Sequence, residues 1–130
     1  VWVAFTVDDG DGTRLRSGES LIEAARDVID AGAERVLVNC SVPEAVTTAM
    51  AELAGLGVAF GGYANGFTSI DKLEPGGTVD VLEARKDLDP DAYAEHVLRW
   101  IEEGATMVGG CCEVGPAHIA ALAERLIDAK

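Results

Sequence analysis

Four short runs of apolar and β-branched residues recur along the chain, each followed by a stretch with helical spacing, and this alternation prescribes βα units around a parallel sheet. The runs are Val1 to Val7, Arg35 to Cys40, Val58 to Tyr63 and Thr106 to Gly110. The second is apolar on both faces, as a strand covered by other elements must be. A first helix is expected from Glu19 to Ala31, with Ser17 as its cap and Gly32 as its stop. Pro43 opens a second helix that reaches Leu53, and Gly55 and Gly57 follow it. A third, from Pro90 to Glu103, spaces Tyr93, Val97, Leu98 and Ile101 along one face and stops at Gly104. The last, Pro116 to Ala129, does the same with Ile119, Leu122, Ala123 and Leu126.

Two connections stand outside this rhythm. Asp8-Asp9-Gly10-Asp11-Gly12 reads as an acidic, solvated loop that could also meet a cationic ligand. Residues 64–89, with Gly66, Pro75, Gly76 and Gly77, form a connection of the length typical of lids and binding loops. With no Gly-x-Gly-x-x-Gly after the first run, four βα units fit half of an eight-stranded TIM barrel better than a dinucleotide-binding sheet; a flavodoxin-like open sheet is the alternative. The first residue already lies within an apolar run and is not Met, so a partial domain is expected.

A chain of 130 residues holds one domain with a modest core. Its 10 Lys and Arg stand against 23 Asp and Glu, which argues against nucleic acid and anionic membranes, both of which need clustered cations. No apolar run approaches the ~20 residues that cross a bilayer. Three cysteines, two of them adjacent and without a disulfide framework, suit a reducing, cytoplasmic setting.

Those cysteines carry the chemistry. Cys40, Cys111 and Cys112 all stand at the carboxyl ends of expected strands, the edge where α/β folds place their sites. Three thiolates make a soft donor set suited to Zn²⁺ and leave one tetrahedral position open for a water or a substrate thiol, which zinc would hold deprotonated. Zinc with three thiolates carries one net negative charge, so a bound substrate sulfur stays electron-rich enough to attack a methyl group on a sulfonium or quaternary ammonium. The helix opening at Pro116 would add a small favourable field at Cys111 and Cys112. The spacing matches no generic metal pattern, however, and a buried Cys40 beside a packed or disulfide-bonded vicinal pair explains it equally well.

Asn39-Cys40 and Gly109-Gly110-Cys111-Cys112, with Pro116 and His118-Ile119 beyond, resemble the two zinc-binding signatures of the homocysteine S-methyltransferase family. Val1 to Thr6 and Leu15 to Ser20 are similar to that family's fifth strand and the loop after it, and Tyr63-Ala64-Asn65 to the end of its seventh strand. The resemblance implies the C-terminal half, strands five to eight, of a TIM barrel. It also implies Cys40, Cys111 and Cys112 as zinc ligands and an enzyme of methionine biosynthesis that methylates homocysteine. The implied methyl donor is S-methylmethionine, S-adenosylmethionine, betaine or methylfolate with cobalamin. Two departures accompany it. Glu113-Val114-Gly115 stands where the family commonly has Gly-Thr-Thr, and the first four strands, which help bind the amino-acid end of homocysteine, lie outside the chain.

Asn39 and Asn65 are candidate substrate-side residues, and Asn39 could also donate to a thiolate; strand-end and turn roles compete with both readings. His96 and His118 sit on expected helices and read as surface or helix-packing residues rather than metal ligands, Trp2 and Trp100 as core or interface aromatics. Two other functions remain open: a non-catalytic zinc-binding half-barrel that oligomerises through its edge strands, and a phosphate cradle at Gly109-Gly110.

Overall fold

In the computed structural model, which describes residues 1–66 and 85–128, the expected βα rhythm is realised. The elements are β1 (Trp2–Phe5), β2 (Val7–Asp8), β3 (Asp11–Leu15), α1 (Leu21–Asp30), β4 (Arg35–Asn39), α2 (Pro43–Leu53), β5 (Ala59–Ala64), α3 (Pro90–Glu102), β6 (Met107–Gly110) and α4 (Pro116–Asp128). β1, β4, β5 and β6 form one parallel sheet in that order. A doubly wound sheet reverses its strand order at a switch point, and this one does not. The helices pack α1 on α2, α2 on α3 and α3 on α4, a single layer over one face of the sheet. That is the architecture of part of a (β/α)8 barrel and excludes the flavodoxin-like alternative.

The period of two in each strand sorts its residues. Val36, Val38 and Phe60 enter the core under the helices, together with Val46, Met50 and Leu53 of α2 and Tyr93, Val97 and Trp100 of α3. Arg35, Leu37 and Asn39, and beside them Gly61 and Tyr63, have the opposite parity and line the open face. Trp2 joins them there, 59% exposed, with the Arg35 guanidinium 4.9 Å from its ring centre. Trp100, by contrast, is fully buried, the core role expected of it.

The acidic segment after the first strand is not a solvated loop. The single strand expected from Val1 to Val7 ends at Phe5, and Val7–Asp8 turns back on Asp11–Leu15 as an antiparallel hairpin, β2–β3, separate from the main sheet. Its aspartates build the turn: Asp8 accepts the Gly10 N–H at 2.8 Å and Asp11 the Thr13 N–H at 3.0 Å. The hairpin lies so close to α2 that a β-carbon on Gly12 would sit 2.2 Å from the Ala45 carbonyl oxygen.

The cap of α1 also differs from expectation. Ser20, in an extended conformation, accepts the Glu23 N–H at 3.4 Å, while Ser17 donates to the Glu19 carboxylate instead. Three residues closer to the helix, Ser20 has the geometry the exposed amides need. Ser20→Ala is expected to cost about 0.5–1 kcal/mol, at the low end for a cap because the bond is long. A urea midpoint indistinguishable from the parent's would show that the cap contributes nothing.

α3 begins as anticipated, with Pro90 in its first turn and Asp89 accepting the Ala92 N–H at 2.8 Å. His96 packs on this helix near Glu44 and Arg85, and its Nδ1 is buried with no hydrogen-bond partner among the described residues. Burial holds its pKa below the ordinary 6.5; Arg85 and Arg99 push the same way, while Glu44 and Asp87 oppose them. The unfolded chain therefore takes up this proton at higher pH than the folded one, so stability falls as pH drops through 6.5 and levels off only below the folded pKa. His96→Gln is expected to flatten that part of the profile, measured as urea midpoints at about pH 7.5 and about pH 5.5. Among the described residues no helix is long and apolar enough to cross a membrane.

Candidate metal centre

Cys40 follows the last residue of β4, and Cys111 and Cys112 follow the last residue of β6, so β5 runs between them. Both sides dock on the carboxyl end of that middle strand: the Cys40 N–H donates to the Tyr63 carbonyl at 3.3 Å and the Cys111 N–H to the Ala64 carbonyl at 2.9 Å. Cys40 itself takes a left-handed conformation, φ 49°, uncommon for a residue with a side chain. The Cys40 and Cys111 sulfurs stand 2.8 Å apart, and those of Cys111 and Cys112 3.9 Å apart. Residues separated by 71 positions thus share one point on the rim.

The three cysteines are free, which excludes the vicinal disulfide considered from the sequence. Two sulfurs at tetrahedral positions ~2.3 Å from one zinc lie ~3.8 Å apart. The Cys111 to Cys112 separation matches that value, whereas Cys40 and Cys111 would have to part by about 1 Å. Among the described residues no group of three or more His, Cys, Asp and Glu side chains already has metal-ion geometry. A one-ångström opening of a side-chain pair is within the reach of a χ1 adjustment, and the all-sulfur donor set suits zinc, so the residues fit the group.

The electrostatics set the cost of assembling the thiols. Burial, then the Cys111 hydrogen bond and the charges of Cys111 and Cys112, push the Cys40 thiol up to about 12. Cys112 is also raised, first by burial and then by the charge of Cys111. Sulfurs this close resist ionising together in the absence of a cation, and a divalent metal reverses that balance.

Asn39 lies at this edge with both ends of its amide engaged: Nδ2 donates to the Tyr63 hydroxyl of β5 at 3.1 Å, and Oδ1 accepts the hydroxyl of Thr6, between β1 and β2, at 3.0 Å. Asn65, 2% exposed, stands just past β5, its N–H donating to the Ser41 carbonyl at 3.0 Å. After β6 the chain turns through Glu113, left-handed at φ 62°, and Gly66 N–H donates to the Cys112 carbonyl at 2.8 Å. A β-carbon at Gly110 would fall 2.2 Å from a Val114 methyl, so the residue before the pair must be small. The 64–89 connection lies mostly outside the described residues. Below the rim, on the open face, a groove of about 260 Å³ is lined by Leu37, Tyr63, Met107 and Gly109 among others.

Several residues here escaped sequence reasoning. Ser41, fully buried, accepts the Val7 N–H at 3.1 Å and ties the turn after Cys40 to the hairpin. Asp9 accepts the Val42 N–H at 2.9 Å and pairs with Arg16 at 3.0 Å. Tyr93 reaches from α3 to donate to the Gly109 carbonyl at 2.6 Å and accept the Ala64 N–H at 3.1 Å, tying β6 to β5 beside the site. Apart from Asp9 and Arg16, which share the hairpin, these partners lie 16 or more residues apart, which is why no local motif announced them. His118 proves to be the packing residue expected: Nδ1 accepts the Gly115 N–H, Nε2 bonds the Leu88 carbonyl at 2.9 Å, and the ring meets Tyr93 edge-on.

Fold and site together define a member of the (β/α)-barrel class with sulfur donors at the carboxyl ends of its strands. The chain belongs to the homocysteine S-methyltransferase family, whose profile matches residues 1–126. It is similar to the homocysteine S-methyltransferase of Escherichia coli (strain K12), 31% identical over 95% of this chain and 38% of the relative. Homocysteine S-methyltransferase 3 of Arabidopsis thaliana is 27% identical over 98% of this chain and 35% of its own length. Selenocysteine Se-methyltransferase of Brassica oleracea var. italica is 24% identical, over 95% and 35% respectively. Among solved structures, the metallated form of the Escherichia coli homocysteine methyltransferase MmuM superposes with a TM-score of 0.68 at 26% identity, covering 95% of this chain and 35% of that one. The chain therefore spans little more than a third of the length of these relatives.

Proposed function

We propose that the chain is the C-terminal half, strands five to eight, of a homocysteine S-methyltransferase barrel, and that it carries the zinc site for methylation of homocysteine to methionine. The observation that carries this reading is the meeting of Cys40, Cys111 and Cys112 at one end of the sheet. The metallated form of a relative supports a metal, and the sulfur donor set favours zinc.

In this reading the three cysteines hold the ion and leave one position to the substrate. Bound zinc would supply the Lewis acidity that keeps a substrate thiol deprotonated at neutral pH. Three anionic sulfurs over-neutralise a divalent cation by one charge, which leaves the acceptor sulfur nucleophilic. Asn39 and Tyr63, at the ends of adjacent strands, present polar groups beside the groove, and buried Asn65 braces the same edge. These are the candidate substrate-side residues. In the overall reaction the acceptor loses a proton, its sulfur bonds the methyl carbon, and the donor's former methyl bond breaks. Donors of this kind are S-methylmethionine, S-adenosylmethionine, betaine or methylfolate with cobalamin, and the remaining barrel strands would complete their pocket. Unpaired thiols suit a reducing compartment such as the cytoplasm.

The test is methionine formation by the complete barrel that contains this chain, purified under reducing conditions, with each donor in turn. About one zinc per chain, activity lost on chelation, and recovery with added zinc are expected. Full activity in metal-stripped protein would overturn the reading.

A further inference from the structure

Resting on that metal site, we propose that Asp9 and Arg16, both on the β2–β3 hairpin, are positioning residues that hold Cys40 in its ligating conformation. The left-handed Cys40 turn is strained for a residue with a side chain and persists only where its surroundings impose it. The hairpin provides that constraint. One oxygen of Asp9 accepts the Val42 N–H at 2.9 Å, at the start of α2, where Val42 has no side-chain cap of its own. The other oxygen pairs with Arg16 at 3.0 Å, and the same Arg16 nitrogen reaches the Cys40 carbonyl at 3.5 Å. Cys40 is therefore bracketed: its carbonyl is held by Arg16, its N–H by the Tyr63 carbonyl, and the residue two positions on by Asp9.

The pair is also sheltered, with the Asp9 side chain 11% exposed and that of Arg16 24% exposed, so solvent screens it less than a surface ion pair. An Asp placed only to solvate a turn, as Asp8 and Asp11 are used, would not bridge a helix start to a guanidinium. The hairpin thus acts as a clamp on the ligand farthest in sequence from the vicinal pair, and the geometry of the three sulfurs depends on it.

Asp9→Asn is the informative variant, because the amide oxygen still accepts the Val42 N–H while the ion pair to Arg16 is lost. Arg16→Lys is its complement, replacing a planar fork with a single point donor. In the full chain, Zn²⁺ affinity is measured by competition with a chromophoric chelator, and the urea midpoint is measured on metal-free protein. The expected result is a ~10-fold or greater rise in the zinc dissociation constant in both variants, the size typical of groups that orient metal ligands, with metal-free midpoints close to the parent's. Zinc affinity within about twofold of the parent in both variants overturns the proposal. So does a loss of affinity that comes only with a collapsed metal-free midpoint. Failure of the parent chain to bind zinc at all would instead bring down the metal-site reading itself.

Discussion

Cys111→Ser is expected to lower zinc affinity more than ~100-fold, since the loss of groups that merely support metal ligands already costs 10–100-fold. Cys111 is the central sulfur of the cluster, 2.8 Å from that of Cys40 and 3.9 Å from that of Cys112. A serine hydroxyl in its place is a harder donor and stays protonated at neutral pH, and the two remaining thiolates belong to strands separated by β5. The effect on folding should be small by comparison, because the side chain lies at the rim, outside the apolar core. Metal analysis after dialysis against a weak chelator, read beside the urea midpoint of metal-free protein, separates the two. Zinc content equal to the parent's would remove Cys111 from the ligand set.

Trp100→Ala should be the most destabilising single truncation considered for this chain, by about 3–5 kcal/mol. The indole is fully buried, its Nε1 donates to the Thr47 hydroxyl at 2.8 Å, and its ring meets Tyr93 edge-on at 6.0 Å. It therefore joins α3 to α2; α2 packs on β5, and Tyr93 of α3 bonds the end of the same strand at Ala64. Trp100→Phe retains most of the packing and loses one hydrogen bond, a cost of about 1–2 kcal/mol, and the Thr47 hydroxyl keeps its bond to the Pro43 carbonyl at 3.0 Å. Denaturant midpoints of the two variants test the ordering. Alanine costing less than phenylalanine would mean that the α2–α3 seam relaxes around the gap.

The legible part of the fold was the part governed by short-range rules. Helix starts at Pro43, Pro90 and Pro116 follow from a fixed φ and a dispensable N–H, and the strand Arg35–Asn39 from a continuous apolar run. The hairpin was missed because Asp11-Gly12-Thr13-Arg14-Leu15 has neither the β-branched content nor the alternation of a strand. Its stability comes from pairing with Val7–Asp8 and from packing against α2, interactions invisible to a local window. The aspartates that marked it as a solvated loop serve different ends: Asp8 and Asp11 shape turns, while Asp9 is drawn inward to Arg16 and Val42.

By itself the amino-acid sequence determined the βα alternation, the presence of three thiols at strand ends and the family likeness, because periodicity, proline, glycine and residue type act over a few neighbours. Tertiary structure decided the rest: a strand order without reversal, a single helix layer, the left-handed turn at Cys40 and the meeting of its sulfur with that of Cys111. Each of these depends on register and packing between segments tens of residues apart, where the energy resides in contacts that form only when the chain is folded.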